Sequence, residues 1–437
     1  MVHNILIYRL YQTVSALAGL TAWPYFYWHL KSRGRGESFL PRLGLKLPPS
    51  PLSPGSPRVW VHGVSVGEIL SAIPLVKELK ALLPQAAFII STGTETGQEV
   101  ARRHFLPLGA GVCYFPLDFP WAVARYLDHL RPDLYISLDS EIWPNFLVQA
   151  HRRSVRLALA NARLSDKTFR IYLKFSKYII GLIEYFEVIT CGSSQDYDRL
   201  RQLGVSPAKL HFIGNLKVDR LLTGVDADAG HTLREALNLK SEPVFLAAST
   251  HPGEDEAVLK AYQTLRAPYP ALLLILAPRH PERAPDLGRL VQSHGLASQL
   301  WSRVKSGAET RLAPVVIIDT IGDLFSLYGV ADVVFVGGSL VSHGGQNILE
   351  AAAWGRAPIF GPHIHNFRWA QAILEEAGAG FMVKDAPTLA AVARCLLDDP
   401  QLRGGLGAQA QASLIRHQGA ACRQAEVIVK MWCGGGG

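Results

Sequence analysis

The chain has few of the groups that announce chemistry on their own. Its five cysteines, Cys113, Cys191, Cys395, Cys422 and Cys433, are scattered over 437 residues without a CxxC pair. That spacing supports neither a disulfide framework nor a cysteine zinc site, and it fits a reducing compartment. Charged residues make up only 18%, and no Lys/Arg block, zinc-finger or RNP-type motif occurs, although the formal net charge is +8. The basic balance therefore points to an anionic membrane surface or an acidic substrate before it points to nucleic acid. There is no Walker loop and no GxGxxG opening a helix. No repeat at solenoid spacing is present, and only the terminal Gly434–Gly437 is of low complexity.

What is there is apolar material, 49% of the residues. At this length it is enough for two packed cores, so two domains are expected. The stretch Leu10–Leu30, LYQTVSALAGLTAWPYFYWHL, has no Asp, Glu, Lys or Arg. A spanning helix needs about 20 mostly apolar residues. Trp23, Tyr25, Phe26, Tyr27 and Trp28 crowd one end, as rings do at a membrane interface, and Lys31, Arg33 and Arg35 follow. Gln12, Thr13, Ser15 and Pro24 dilute the run, so a helix lying in the interface stays open beside a spanning one. A cleaved signal peptide is a weaker reading, because Arg9 interrupts the apolar region. Either leading case puts the globular part on the cytoplasmic face of a membrane.

After the Pro-rich LPPSPLSPGSP (Leu47–Pro57), short apolar runs alternate with helical patterns. RVWVHG, AAFIIST, GVCYFPLD, DLYISLD, VRLALAN and FEVITCG read as buried parallel strands. The pattern restarts after about Leu221 with PVFLAAS, ALLLILAP, APVVIID, DVVFVGG and APIFG. The fold class is therefore α/β, two doubly wound Rossmann-like domains facing a cleft. The expected boundaries are an N-terminal anchor at 1–35, a first domain at 36–222, a linker at 223–231 and a second domain at 232–433.

In such sheets ligands sit beyond the carboxyl ends of the strands. In the second half these ends carry Thr250 and His251, Arg279 and His280, Gly322, and then Gly338, Ser339, His343, Gly344, Gly345, Asn347 and Glu350. Glycines allow close backbone approach, and the free N–H groups of a helix start suit an anion. Arg279 can fork onto a phosphate. Glu350, one turn into the expected helix, can accept from a ribose diol. In the first half Ser65, Gly67 and Glu68 follow one strand, and Asp139 and Glu141 follow another. Glu68 is a candidate general base. It is also placed where an acid merely stabilises a helix start.

HGVSVGE, STGTETG, SEIWPN, NARLS, GNLKVD, STHPGEDE, PRHPER and HGGQNILEAAAWG, taken in this order between about Tyr8 and Met431, resemble the 3-deoxy-D-manno-octulosonic acid (Kdo) transferases of lipopolysaccharide assembly. The resemblance implies the GT-B fold, with an acceptor domain followed by a CMP-sugar-binding domain. It implies transfer of Kdo from CMP-Kdo to a lipid A precursor at the cytoplasmic face of the inner membrane, with inversion and with Glu68 as base. It also implies that the second-half loops bind CMP, while Ser65, Gly67, Asp139 and Glu141 position acceptor or donor. No cofactor or metal is expected, since CMP-Kdo is the donor substrate. Membrane lipids are expected partners and nucleic acid is not. The family's usual PHGGHNPLEPA is SHGGQNILEAA here, and its ETE before Trp-Pro-Asn is Asp139-Ser140-Glu141. The residues alone leave open a GT-B enzyme using another nucleotide sugar, or a non-catalytic tethered binding protein.

Overall fold

The computed structural model describes residues 2–21, 28, 36–49 and 56–434. The chain divides into two compact units, Met1–Arg220 with Gly419–Gly437, and Leu221–Gln418.

The first unit opens with helix α1 (Val2–Thr21). Its sheet holds β1 (Arg58–Gly63), β2 (Ala87–Thr92), β3 (Gly111–Tyr114), β4 (Leu134–Leu138), β5 (Arg156–Ala162), β6 (Val188–Cys191) and β7 (Leu210–Phe212). Between them run α2 (Val66–Leu82), α3 (Glu95–Phe105), α4 (Pro120–Leu130), α5 (Pro144–Arg152), α6 (Asp166–Lys174) and α7 (Ser176–Ile183). All pairings are parallel, in the order β3-β2-β1-β4-β5-β6-β7. The strands read as unbroken apolar runs because both faces are covered. Trp60 packs with Tyr126, Tyr135 and Phe146 on one face, while Val59 and Val61 pack with Ile69, Leu75 and Ile136 on the other.

The second unit repeats the design with β8 (Val244–Thr250), β9 (Leu273–Pro278), β10 (Ser298–Leu300), β11 (Val315–Ile317), β12 (Val333–Val336), β13 (Pro358–Phe360) and β14 (Phe381–Met382). Their order is β10-β11-β9-β8-β12-β13-β14, again parallel. Helices α8 (Asp255–Arg266) and α9 (Leu349–Ala353) follow β8 and β12. Three strands that the sequence pattern did not flag, β7, β10 and β14, have two or three residues each and form sheet edges. Edge strands this short carry no apolar run to read.

The boundaries differ from those expected. The division falls after Arg220, and the 223–231 stretch is shared by the ends of helices Leu216–Thr223 and Ala227–Ala236. The last helix, α10 (Ala420–Cys433), belongs to the first unit instead of closing the second. Its Ala421, Ala425 and Ile428 join the core on the side of α2, β5 and β6, where Ala158, Ala160 and Val188 are buried. Gln424, fully buried, accepts from Thr190 Oγ1 at 2.7 Å and Asn161 N at 3.1 Å, and donates to Gly214 O at 2.8 Å. Asp219 accepts from Gly419 N and Ala421 N at 2.7 and 2.6 Å, capping the helix. Hydrophobic periodicity does not record which unit such a helix joins, because its buried bonds reach residues some two hundred positions earlier.

Among the described residues no helix is long and apolar enough to cross a membrane. Of the Leu10–Leu30 stretch, residues 22–27, 29 and 30 lie outside the described residues, as do Lys31, Arg33 and Arg35. The described part is docked by one face. Tyr11 Oη donates to Asp118 Oδ2 at 3.0 Å, and Asn145 Nδ2 donates to Ser15 Oγ at 3.1 Å. At Gly19 α1 meets α4 so closely that a Cβ would lie 2.5 Å from Trp121 Cη2.

Candidate active site

In both sheets the chain reverses its direction of winding beside the first strand, between β1 and β4 and between β8 and β12. In open α/β sheets ligands sit outside the strand ends at such switch points.

In the first unit, β1 runs out at Gly63 and α2 starts three residues later, with Ser65 as N-cap. The Ser65 hydroxyl accepts weakly from Glu68 N at 3.4 Å and donates to Glu68 Oε1 at 2.7 Å, while Val64 N donates to Oε2 at 2.7 Å. Gly63 allows this tight turn, since a Cβ there would stand 3.1 Å from Glu68 Cβ. A Cβ on Gly67 would meet only Ser65 Oγ, at 3.9 Å. So Glu68 does serve the helix start, in a variant of the capping box. Yet burial, and then the charge of Asp139, push its carboxyl pKa above the ordinary value, against the lowering effect of those two bonds and of Lys217.

Asp139 and Glu141 arrive from the end of β4. Asp139 has φ +57°, in the left-handed region that Asp and Asn tolerate best. Its Oδ1 accepts from Asn161 Nδ2 at 2.8 Å, and its Oδ2 lies 3.8 Å from Lys217 Nζ. Asn161, itself at φ +55°, also accepts from Leu216 N at 3.1 Å through Oδ1. Glu141 is pushed up to about 7, chiefly by burial and then by Glu68. Three mutually repelling carboxyls, with one lysine, thus occupy the switch point. Asn161 and Lys217 lay inside the NARLS and GNLKVD motifs, but nothing in their spacing singled them out. His62, on β1, belongs to the core: it is buried, stacked on Phe115 at 3.8 Å and pushed down to about 3 by burial.

In the second unit Thr250, His251, Arg279, His280 and His343 gather at the ends of β8, β9 and beyond β12. The His251 ring lies 4.4 Å from that of His343 and 6.1 Å from that of His280. Gln346 Nε2 is 3.2 Å from His251 Nε2. Arg279 is exposed, its amide donating to Thr250 O at 3.0 Å. The Thr250 hydroxyl is buried without a partner among the described residues. Burial, and then the His343 charge, lower the His251 pKa. Gly322 sits in an open turn at φ +101°.

The loop after β12 is built differently from the expected phosphate cradle. Glu254, fully buried, accepts four amides: His251 N at 2.9 Å, Gly338 N at 2.6 Å, Ser339 N at 2.9 Å and Leu340 N at 2.8 Å. The Gly338 and Ser339 amides are therefore turned inward and do not face a ligand. The Ser339 hydroxyl is also internal, donating to Val336 O and accepting from Gly361 N. Gly344, at φ +90°, is demanded by packing, because a Cβ would fall 2.2 Å from Asn366 Nδ2. Gly345 is pressed in the same way against Ile364. The following helix is only the five residues of α9, so its dipole is small. The amides of Gly344, Gln346 and Asn347 have no hydrogen-bond partner among the described residues. Glu350, on α9, is hydrogen-bonded with buried Tyr328, whose pKa burial and this carboxylate raise. Glu254 falls within STHPGEDE, yet a lone Glu in a loop gives no hint that four amides converge on it.

Among the described residues no group of three or more His, Cys, Asp or Glu is placed to hold a metal ion. The arrangement offers a basic, amide-lined strand end in one unit and a proton-accepting carboxyl cluster in the other.

A family model for 3-deoxy-D-manno-octulosonic-acid transferase (kdotransferase) matches residues 37–220. The 3-deoxy-D-manno-octulosonic acid transferase of Haemophilus influenzae is 33% identical over 85% of this chain and 86% of its own length. That of Bordetella pertussis is 33% identical over 92% and 94%. Among solved structures, a UDP-GlcNAc 2-epimerase from Neisseria meningitidis bound to UDP-GlcNAc aligns with TM-score 0.61 at 12% identity, covering 86% of this chain and all of that one. A putative UDP-N-acetylglucosamine 2-epimerase from Listeria monocytogenes aligns with TM-score 0.62 at 14% identity, covering 86% and 96%. Those structures share the GT-B type of fold. The identity and coverage of the sequence relatives carry the assignment further: the chain belongs to the 3-deoxy-D-manno-octulosonic acid transferase family, and it is a glycosyltransferase.

Proposed function

We propose that the chain transfers Kdo from CMP-Kdo to a lipid A precursor in lipopolysaccharide assembly, on the cytoplasmic face of the inner membrane, with inversion at the anomeric carbon. In this reading the acceptor hydroxyl attacks that carbon, the bond to the CMP phosphate breaks, and Glu68 takes the hydroxyl proton. Charge growing on the leaving phosphate is stabilised by Arg279, by the histidines around His251 and by the open amides of Gly344, Gln346 and Asn347. Glu350 accepts from the ribose. The observation that carries the proposal is the position of Glu68: it lies at the β1–β4 switch point, its pKa raised, beside two further carboxyls.

The test is Glu68→Gln, with transfer rate and melting temperature measured on one preparation. Loss of a general base should cut turnover by about 10²–10⁴-fold while CMP binding persists. A helix-start carboxylate alone is worth ~0.3–1 kcal/mol of stability. Near-normal turnover with a slightly lower melting temperature would assign Glu68 to the helix start. It would leave Glu141, whose pKa near 7 suits a base at neutral pH, as the proton acceptor.

A further inference from the structure

A cavity of about 780 Å³ lies in the first unit, walled by α1, α5 and α7. Tyr8 and Arg9 line it from α1, His151 and Arg152 from the end of α5, and Tyr178 and Tyr185 from α7 and the turn after it. Helix α5 separates it from the carboxyl cluster: Asn145 begins that helix near the strand ends and Arg152 closes it, so the two places are about 10 Å apart along its axis.

Three features mark this cavity as built for an anion. Tyr8 is 8% exposed, and its hydroxyl is buried with no partner among the described residues. The Tyr178 hydroxyl is in the same condition. Buried hydroxyls are nearly always hydrogen-bonded, and one left unpaired costs about 1–3 kcal/mol. Arg9 and Arg152 have no carboxylate partner among the described residues, and the Arg152 guanidinium lies 5.9 Å over the Tyr8 ring. The acid on this wall, Glu184, is already paired with Lys209 at 2.7 Å. Two unpaired guanidiniums with two unsatisfied hydroxyls are the donor set that a phosphate takes.

The other side of α1 says where that phosphate comes from. Tyr8, Tyr11, Ser15 and Gly19 form the docked face. Ile7, Leu10, Val14 and Leu17, spaced three or four apart, form an exposed apolar row on the opposite face, with Arg9 between the two. Ile171 and Leu173, in the last turn of α6, and Phe175, between α6 and α7, are also exposed. A helix that presents an exposed apolar row with an arginine at its margin suits the plane of a bilayer interface. We propose that α1 rests in that interface and that the cavity beneath it receives the phosphate headgroup of an anionic glycerophospholipid, whose acyl chains run along the α1 row. This site is distinct from the one proposed for transfer.

The experiment is vesicle co-sedimentation of the full chain. It uses phosphatidylcholine alone, phosphatidylcholine mixed with phosphatidylglycerol, and free glycerol 3-phosphate as competitor. The wild type should prefer the mixed vesicles. Arg152→Ala should reduce that preference about fivefold, and Tyr8→Phe about five- to tenfold, with binding to phosphatidylcholine unchanged in both. Tyr8→Phe should melt no lower than the wild type, because the hydroxyl it removes is unsatisfied in the free protein. The exposed pair Arg102 and Arg103 on α3 serves as control, and changing both to Ala should leave the preference intact. An unchanged preference in Tyr8→Phe, or an equal loss in the α3 control, would overturn the site. Glycerol 3-phosphate binding as tightly as the mixed vesicles would overturn the lipid as its source. Transfer by Tyr8→Phe to an acceptor in detergent should be normal, which separates this outcome from that of Glu68→Gln.

Discussion

Replacing Glu254 by Gln is the sharpest probe of the second unit. The carboxylate holds four backbone amides at 2.6–2.9 Å, two on each oxygen, and is wholly buried. Gln keeps one oxygen and turns an NH₂ group toward the other two donors. Hydrogen bonds to a charged group contribute ~1.5–3 kcal/mol each. Losing two, with partial relaxation, should cost about 3–5 kcal/mol, a large share of a typical ~5–15 kcal/mol stability. For a unit of this size each kcal/mol moves the melting temperature by roughly 2–4 °C, so a fall of roughly 6–20 °C is expected. Calorimetry on the full chain measures it, with exposed Glu256→Gln as control. CMP affinity should fall together with stability, because the loop after β12 loses its anchor. A melting temperature within a degree of the wild type would refute the reasoning. So would tighter CMP binding, which is expected only if the Gly338 and Ser339 amides serve phosphate and are released by the change.

Other outcomes follow from the same geometry. Glu350→Ala should weaken CMP binding about ten- to hundredfold, measured by calorimetry on protein shown to be folded; unchanged affinity would remove Glu350 from the ribose site. Glu141 has its folded pKa raised from 4.5 to about 7, so its contribution to stability is complete below the unfolded value and is lost as pH rises through about 7. Urea unfolding of Glu141→Gln should therefore gain about 3 kcal/mol on the wild type between about pH 4 and about pH 8, and a pH-independent difference would contradict the assignment. Gln424→Ala leaves Gly214 O without its donor and the Thr190 hydroxyl without its acceptor, while Asn161 N keeps only Thr190 Oγ1, and it should cost about 2–4 kcal/mol in the first unit. It should also lower transfer, because Asn161 holds Asp139; full activity would show that the carboxyl cluster does not depend on α10.

The sheets were legible because a parallel strand covered on both faces has to be apolar throughout: RVWVHG is β1 to the residue, and the other long runs fall within a few residues of their strands. The loops that the motifs occupy do stand at the strand ends, since that placement follows from winding direction alone. What could not be read was partnership. Glycines in the loop after β12 looked like openings for a ligand, yet at Gly344 and Gly345 the close approach is made by the chain's own Asn366 and Ile364. The amides of Gly338 and Ser339 looked available until Glu254, more than eighty residues earlier, was seen to occupy them. The domain boundary was hidden for the same reason, since Gln424 and Asp219 act across separations that no local pattern records.

The return of α10 to the first unit has a consequence for synthesis on the ribosome. Domains ordinarily fold as they emerge, N-terminal first, at ~5–20 residues per second. Here the first unit is interrupted by Leu221–Gln418 and recovers its last helix only afterwards. At those rates the wait is roughly 10–40 s. Throughout it, α2 and the apolar side chains of β5 and β6, Ala158, Ala160 and Val188 among them, lack the cover of Ala421, Ala425 and Ile428, and Thr190 and Asn161 lack Gln424. The half-made protein thus exposes an apolar seam, and Asn161, which holds Asp139, stays without its buried partner until α10 has been made.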